Sequence, residues 1–268
     1  MKTQSVANAL RNAGILFAVA ACCTLQAQQG KTTAAAQAAP YLVTPLPNHV
    51  FGLLVAHGDR LQMPGNERLT LSGTLTDAAG VHTATVTAEI PGKVLVQISG
   101  AASKTLRFDG NLPSTDGAAL AGGDQDLLES FQADVAENFF FSFGRSASVR
   151  FLGGRYRTDG GTSKNYTGPW YDIYELVQPV AVKSGGPAQQ KFYYFDSVTG
   201  QFAKTRYKIT RNGKPVEVQT VFSNWTKTKG QSVPGKIERL EDGKTVFSFA
   251  VSNGTLSPTV ADDIFKKP

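Results

Sequence analysis

The chain has 268 residues, 41% hydrophobic and 18% charged, with 27 Lys and Arg against 21 Asp and Glu. Its net charge of +6 is spread along the chain, with only Lys227, Lys229, Lys236 and Arg239 forming a loose group, which argues against a nucleic-acid stripe. Both cysteines, Cys22 and Cys23, lie near the N-terminus, so a disulfide framework, a thiolate metal site and a cysteine nucleophile are excluded from the folded body.

Residues 1–27 begin with Lys2 and Arg11, continue through an apolar run from Ala13 to Ala21 that includes Ile15, Leu16, Phe17 and Val19, and end in small residues. Basic, then apolar, then small is the layout of a secretory signal of bacterial type. The run is too short for a membrane span, which takes about 20 apolar residues, and no later stretch supplies one. Two processing sites compete. Leu25-Gln26-Ala27 precedes a cut at Gln28, whereas Val19-Ala20-Ala21-Cys22 is similar to the lipobox of bacterial lipoproteins and would leave Cys22 acylated at the new N-terminus. Either route predicts an exported protein, periplasmic or attached to the outer membrane. Without Lys2 and Arg11 the charge falls to about +4, enough for a weak peripheral attraction to anionic lipid headgroups.

From residue 28 to 47 the chain is rich in Ala, Gln and Thr without apolar periodicity, which reads as a flexible leader. Residues 48–268 are then expected to form one domain, within the range of a single large β fold. Leu69 to Glu89 holds two alternating runs around Asp77-Ala78-Ala79-Gly80, a hairpin. Val94 to Ile98 and Lys104 to Phe108 continue the period of two. Between Asp124 and Phe143 the period changes, and Leu127, Phe131, Val135 and Phe139 recur every fourth residue. That spacing predicts one amphipathic helix, capped by Asp124 or Asp126, ended by Gly144 and laid across the open face of the sheet. The last third predicts strands at Lys191–Asp196, Phe202–Ile209, Val216–Phe222, Gly235–Leu240 and Thr245–Val251. Thr199-Gly200, Asn212-Gly213, Lys229-Gly230 and Asp242-Gly243 separate them, and connections this short join antiparallel neighbours.

Catalytic chemistry has no candidate set in this sequence. His49, His57 and His82 lack the i, i+4 spacing of a helical metal pair and read as surface or turn residues, so no metal and no cofactor is expected. Gly144-Arg145-Ser146-Ala147-Ser148 lacks the final glycine of a nucleophile elbow and follows a helix where that motif follows a strand. Gly153-Gly154 and Gly160-Gly161 read as turns between strands, without the strand-to-helix setting of a phosphate loop. Asp262-Asp263 and Glu241-Asp242 read as solvated tail and turn acids. The expectation is a protein that binds and does not catalyse.

The positive signal is aromatic. Phe192, Tyr194, Tyr207, Phe222, Trp225, Phe247 and Phe249 fall along the late strands in a spacing that places them on one face. They either fill a packed core beneath the helix or line a cavity that a curved sheet leaves for an apolar ligand.

The run Phe192-Tyr-Tyr-Phe-Asp196, Thr199-Gly200, Pro215-Val-Glu-Val, Phe222-Ser-Asn-Trp225, Val233-Pro234-Gly-Lys-Ile-Glu238 and Ala261-Asp-Asp-Ile-Phe265 resembles the end of LolA-like outer-membrane lipoprotein-sorting domains. The resemblance covers about the last 80 residues well and the earlier element order loosely. It implies a mainly β, α+β fold: a strongly curved antiparallel meander or unclosed half-barrel covered by helix, sheltering lipid or lipoprotein acyl chains. Tyr207, Phe222, Trp225, Phe247 and Phe249 are the cavity candidates. The N-terminal half is longer than in the typical carrier, and a lipobox belongs to the membrane-attached acceptor and not to the soluble shuttle. The alternative is an envelope scaffold or sensor with a filled core, recognising a protein partner through loops such as Thr158 to Trp170.

Overall fold

The computed structural model describes residues 47–58, 67–89, 92–100, 103–110, 113–116, 120–144, 148–156, 168–178, 189–228, 231–258 and 264–266. The signal segment with Cys22, the leader up to residue 46, the Lys229-Gly230 turn, Gly160-Gly161 and most of the Thr158 to Trp170 loop lie outside them.

Helix α1 (Pro47–His57) precedes β1 (Glu67–Asp77), β2 (Gly80–Glu89), β3 (Lys93–Ser99), β4 (Lys104–Asp109) and β5 (Pro113–Thr115). Helices α2 (Gly122–Gln132) and α3 (Ala136–Gly144) follow. Then come β6 (Ser148–Tyr156), β7 (Tyr171–Gln178), β8 (Gln189–Asp196), β9 (Phe202–Arg211), β10 (Lys214–Ser223), β13 (Lys236–Glu241) and β14 (Lys244–Pro258). A small hairpin, β11 (Thr226–Thr228) with β12 (Gln231–Val233), is inserted between β10 and β13.

Twelve strands form one antiparallel sheet in the order β5-β4-β3-β2-β1-β14-β13-β10-β9-β8-β7-β6. Neighbours in sequence are neighbours in space because their turns are tight. Asn212 and Gly213 have φ of 51° and 75°, and Asp242 and Gly243 have 47° and 76°, the two positive angles that a primed hairpin turn requires. The simple meander expected from these turns is modified at one place. The first and last strands, β1 and β14, pair from Glu67↔Pro258 to Thr76↔Ser248 and join the two halves of the sheet. At the irregularity beside Gly73 the strands approach so closely that a Cβ there would stand 2.0 Å from the Ala250 carbonyl oxygen, so only glycine fits.

Strands β5 and β6 are left as the edges, and the sheet does not close into a barrel. Laid flat, twelve strands would be about 53 Å wide at the usual spacing. The 122–144 helical segment is about 35 Å long at most. Even so, Phe131 meets Phe247 and Phe249 on β14 while Phe139 meets Tyr174 on β7 and Tyr193 and Phe195 on β8. One core cluster therefore spans strands of both halves and both helices, which a short helical layer can serve only if the sheet curls around it.

Four expectations are corrected. The single helix is two, broken at Ala133 to Val135, because Asp134 turns inward to a buried lysine and the Ala133 carbonyl accepts from Tyr193 and Asn138. Its cap is Ala121, not Asp124 or Asp126, since those two carboxylates pair with Lys104 and with Arg211 and Arg239. Gly153-Gly154 is not a turn between strands but lies within β6, at a bulge opposite Ile173. Phe192 and Tyr194 do not share the face of the other late aromatics: they lie under Arg206 and Lys204 on the side away from the helices, while Tyr193 and Phe195 face Phe139. Four consecutive aromatic residues hide which parity is inward, and β8 is also irregular between Tyr194 and Phe195.

Candidate functional site

Between the helical layer and the middle of the sheet lies a cavity of about 60 Å³. Its floor is made by Leu69 and Leu71 of β1, Val86 and Ala88 of β2, Val94 of β3, Ile237 of β13, Phe222 of β10 and Phe202 of β9. Its roof is Phe131, Val135, Ala136 and Phe141, the residues on either side of the helix break. These side chains carry no hydrogen-bonding groups, so water between floor and roof finds polar partners only at the ends of the cavity. The volume is room for roughly four to six water-sized spheres, or the end of one alkyl chain.

The two ends of the cavity differ. At the β9/β10 end stand Trp225, Pro234, Glu137 and Asn138. The Trp225 indole N–H donates to the Phe202 carbonyl at 3.0 Å, which fixes the ring as a wall. His57, the last residue of α1, meets Trp225 edge-on at 5.1 Å, with Nε2 3.6 Å from a Glu137 carboxylate oxygen. The end of α1 is seated by three side-chain donors on the Ala56 carbonyl: Ser232 at 3.0 Å, Lys227 at 3.1 Å and Gln201 at 3.3 Å. These groups satisfy a carbonyl that a helix terminus leaves open, and the lysine suits the negative end of the helix dipole. At the β2/β3 end stand Glu89, Gly92, Lys93 and Gln132, where Lys93 is partly exposed to solvent.

His49 and His57 were expected at the surface or in turns. They lie on α1, with His57 buried, because Val50 and Leu53 on the same helix pack into the core and carry both along. His49 Nε2 donates to Asp172 at 3.1 Å and Nδ1 accepts from the Tyr174 hydroxyl at 2.6 Å. Among the described residues no group of His, Cys, Asp and Glu is arranged to hold a metal.

Beyond the roof lies a buried polar cluster. Asp134, fully buried, accepts from Lys191 at 2.7 Å, Tyr207 at 3.1 Å and Thr220 at 2.6 Å. Arg239, also fully buried, donates to Ser130 at 3.2 Å, Tyr207 at 3.1 Å and Asp126 at 3.2 Å. Burial opposes the charge of Lys191, but its electrostatic neighbours, Asp134 foremost, outweigh it and hold the ammonium well above its usual range. Burial first, and Asp134 second, push the Tyr207 hydroxyl well up, so it remains a donor. The cluster fastens the helix break to β8, β9, β10 and β13.

At the edge of this cluster a hydrogen bond from Arg211 holds the Glu241 carboxyl below the ordinary carboxylate range, with burial opposing and Arg239 adding to it. A depressed carboxyl contributes stability above its unfolded value of about 4.3 and loses that contribution as pH falls through the folded value. Denaturant midpoints of the wild type should therefore fall below about pH 4.3, and Glu241→Gln should fall less over the same interval. Equal acid sensitivity of the two proteins would contradict the assignment.

The five sequence candidates are distributed as follows. Phe222 and Trp225 line the cavity. Phe247 and Phe249 sit beside it against Phe131, with ring centroids 6.0 and 5.7 Å away. Tyr207 is in the polar cluster. The roof residues and Phe202 were missed as lining. The fourfold spacing of Phe131 and Val135 was a usable signal, since a helix stripe that covers a curved sheet also roofs whatever the sheet leaves empty.

An open, curved antiparallel sheet with a helix pair across its inner face and an apolar cavity between them defines the class of architecture. No family model and no curated protein matches the sequence. Among solved structures the chain is similar to a LolA superfamily protein from Nitrosomonas europaea, with 13% identity, a TM-score of 0.49, and 81% of this chain and 97% of that chain covered. It is also similar to a DUF1329 family protein from Desulfovibrio piger, at 10% identity and TM-score 0.44 over 84% of this chain and 98% of that one. A third likeness is to a domain from Vibrio parahaemolyticus described as outer membrane lipoprotein-sorting, at 11% identity and TM-score 0.41 over 81% and 96% of the two chains.

Proposed function

We propose that this is an exported, non-catalytic cell-envelope protein that holds a lipid or lipoprotein acyl chain in the cavity between the α2–α3 pair and the sheet. The cavity carries the reading: its floor and roof are carbon, and its polar groups stand only at its two ends. Each methylene moved from water into such a site contributes about 0.8 kcal/mol, so binding needs no further chemistry. Gln132 and Gly92 line the β2/β3 end beside the partly exposed Lys93, the side on which a chain longer than the cavity would leave. The signal-like N-terminus and the LolA-like run of the last strands agree with the reading. Phe222 and Trp225 are its wall, Phe247 and Phe249 the layer supporting Phe131, and Tyr207 a support of the helix break.

Filling the cavity tests the proposal. Ala88 is a partly buried floor residue on β2, and Ala88→Leu adds three carbons where the cavity is empty. Affinity for a neutral alkyl probe such as decanol should fall at least tenfold, while stability stays within about 1 kcal/mol of the wild type. Unchanged decanol affinity in a folded variant would remove the cavity as the site and favour the scaffold or sensor reading, which the densely packed aromatic half around Phe139 also suits.

A further inference from the structure

If the cavity binds alkyl chains, its two unlike ends give the ligand a direction. At the β2/β3 end Glu89 is held from two sides, its Oε2 3.3 Å from Arg68 Nη2 and its Oε1 3.0 Å from Lys93 Nζ. The Arg68 and Glu89 side chains are each 10% exposed and that of Lys93 is 41%, so the lysine is the member of the trio that reaches solvent. Lys93 also lines the cavity, whereas Arg68 stands behind it. Arg68 alone keeps the Glu89 charge paired, so the lysine can turn to an incoming anion without leaving a buried carboxylate uncompensated. Both cations also lie over the Phe265 ring, the Arg68 guanidinium at 5.3 Å and the Lys93 ammonium at 5.7 Å from its centroid. The opposite end offers an indole, a proline, the Asn138 amide and the Glu137 carboxylate, and among the described lining residues Lys93 is the only Lys or Arg.

We infer that the ligand is an anionic amphiphile, a carboxylate or phosphate on an alkyl chain, bound with its headgroup at Lys93 and its terminal carbons at Trp225. Lys93 and Trp225 both line the cavity, one from each end, so a chain whose head sits at the lysine points its terminal carbons toward the indole.

The chain has two tryptophans, so Trp170→Phe leaves Trp225 as the sole reporter. Decanoate brominated at its terminal carbon and decanoate brominated beside the carboxylate quench that fluorescence according to which end lies near the indole. Terminal bromine should quench Trp225 at least threefold more at equal occupancy. Decanoate or decyl phosphate should bind at least tenfold more tightly than decanol, and the tighter of the two anions identifies the headgroup as carboxylate or phosphate. Lys93→Gln should reduce the preference to within about twofold by weakening the anions alone, as expected for a partly exposed cation acting as a point charge. Decanol and the anions binding equally well, equal quenching by the two bromine positions, or a Lys93→Gln loss shared by decanol would each overturn the inference while leaving the acyl cavity standing. Failure of all three ligands to bind would overturn the cavity reading and the inference with it.

Discussion

Asp134→Ala should lower stability by about 3–5 kcal/mol, a loss far larger than a surface carboxylate gives. The carboxylate is fully buried and is the common acceptor for Lys191, Tyr207 and Thr220. Without it, three donors in a low-dielectric interior lose a shared acceptor at once, and the 1%-exposed lysine keeps the Glu129 carboxylate, 3.1 Å away, and the face of the Tyr207 ring. The double variant Asp134→Ala, Lys191→Met should lose less than the sum of the single losses, because removing the ammonium removes the charge left uncompensated. Urea midpoints of the four proteins at constant slope measure this. A loss below about 1 kcal/mol for Asp134→Ala, or strict additivity, would contradict the network as drawn.

Phe139→Ala should cost a similar amount, about 3–5 kcal/mol. Phe139 is fully buried and meets Tyr174, Phe195 and Tyr193 at centroid distances of 5.0, 5.1 and 5.5 Å. Two residues along the helix, Phe141 faces the cavity and is only half-buried, so Phe141→Ala removes fewer contacts and should cost clearly less. Thermal or urea unfolding of the two variants compares the filled side of the helix with its empty side. Equal losses would mean that the cavity wall is as tightly packed as the core.

These two positions also show what sequence could supply. Phe139 was legible because a buried helix stripe repeats every fourth residue, and the hairpins were legible because Asn212-Gly213 and Asp242-Gly243 have little other use than a tight turn. Asp134 was not legible. Its lysine partner is 57 residues away, and an acidic residue in a helical pattern looks like a solvated face until the strand that supplies the counter-charge is in place. For the same reason the helix was read as continuous, since its break is made by partners on β8 and not by a local glycine or proline. Helix α1 was missed because it starts at Pro47, the last residue of the leader as read, and its apolar residues follow no clean stripe. Of the cavity's wall, Phe222 and Trp225 were visible. The floor on β1, β2 and β3 was not, because those strands reach the late ones through the β1–β14 pairing.

The measurement that tests the acyl-binding proposal most directly is native mass spectrometry of the protein isolated from the cell envelope without detergent, followed by organic extraction of the bound fraction. The account predicts one acyl-bearing ligand per protein, present in the wild type and strongly reduced in Ala88→Leu. A wild-type protein that flies empty and also takes up neither decanol nor decanoate would contradict it.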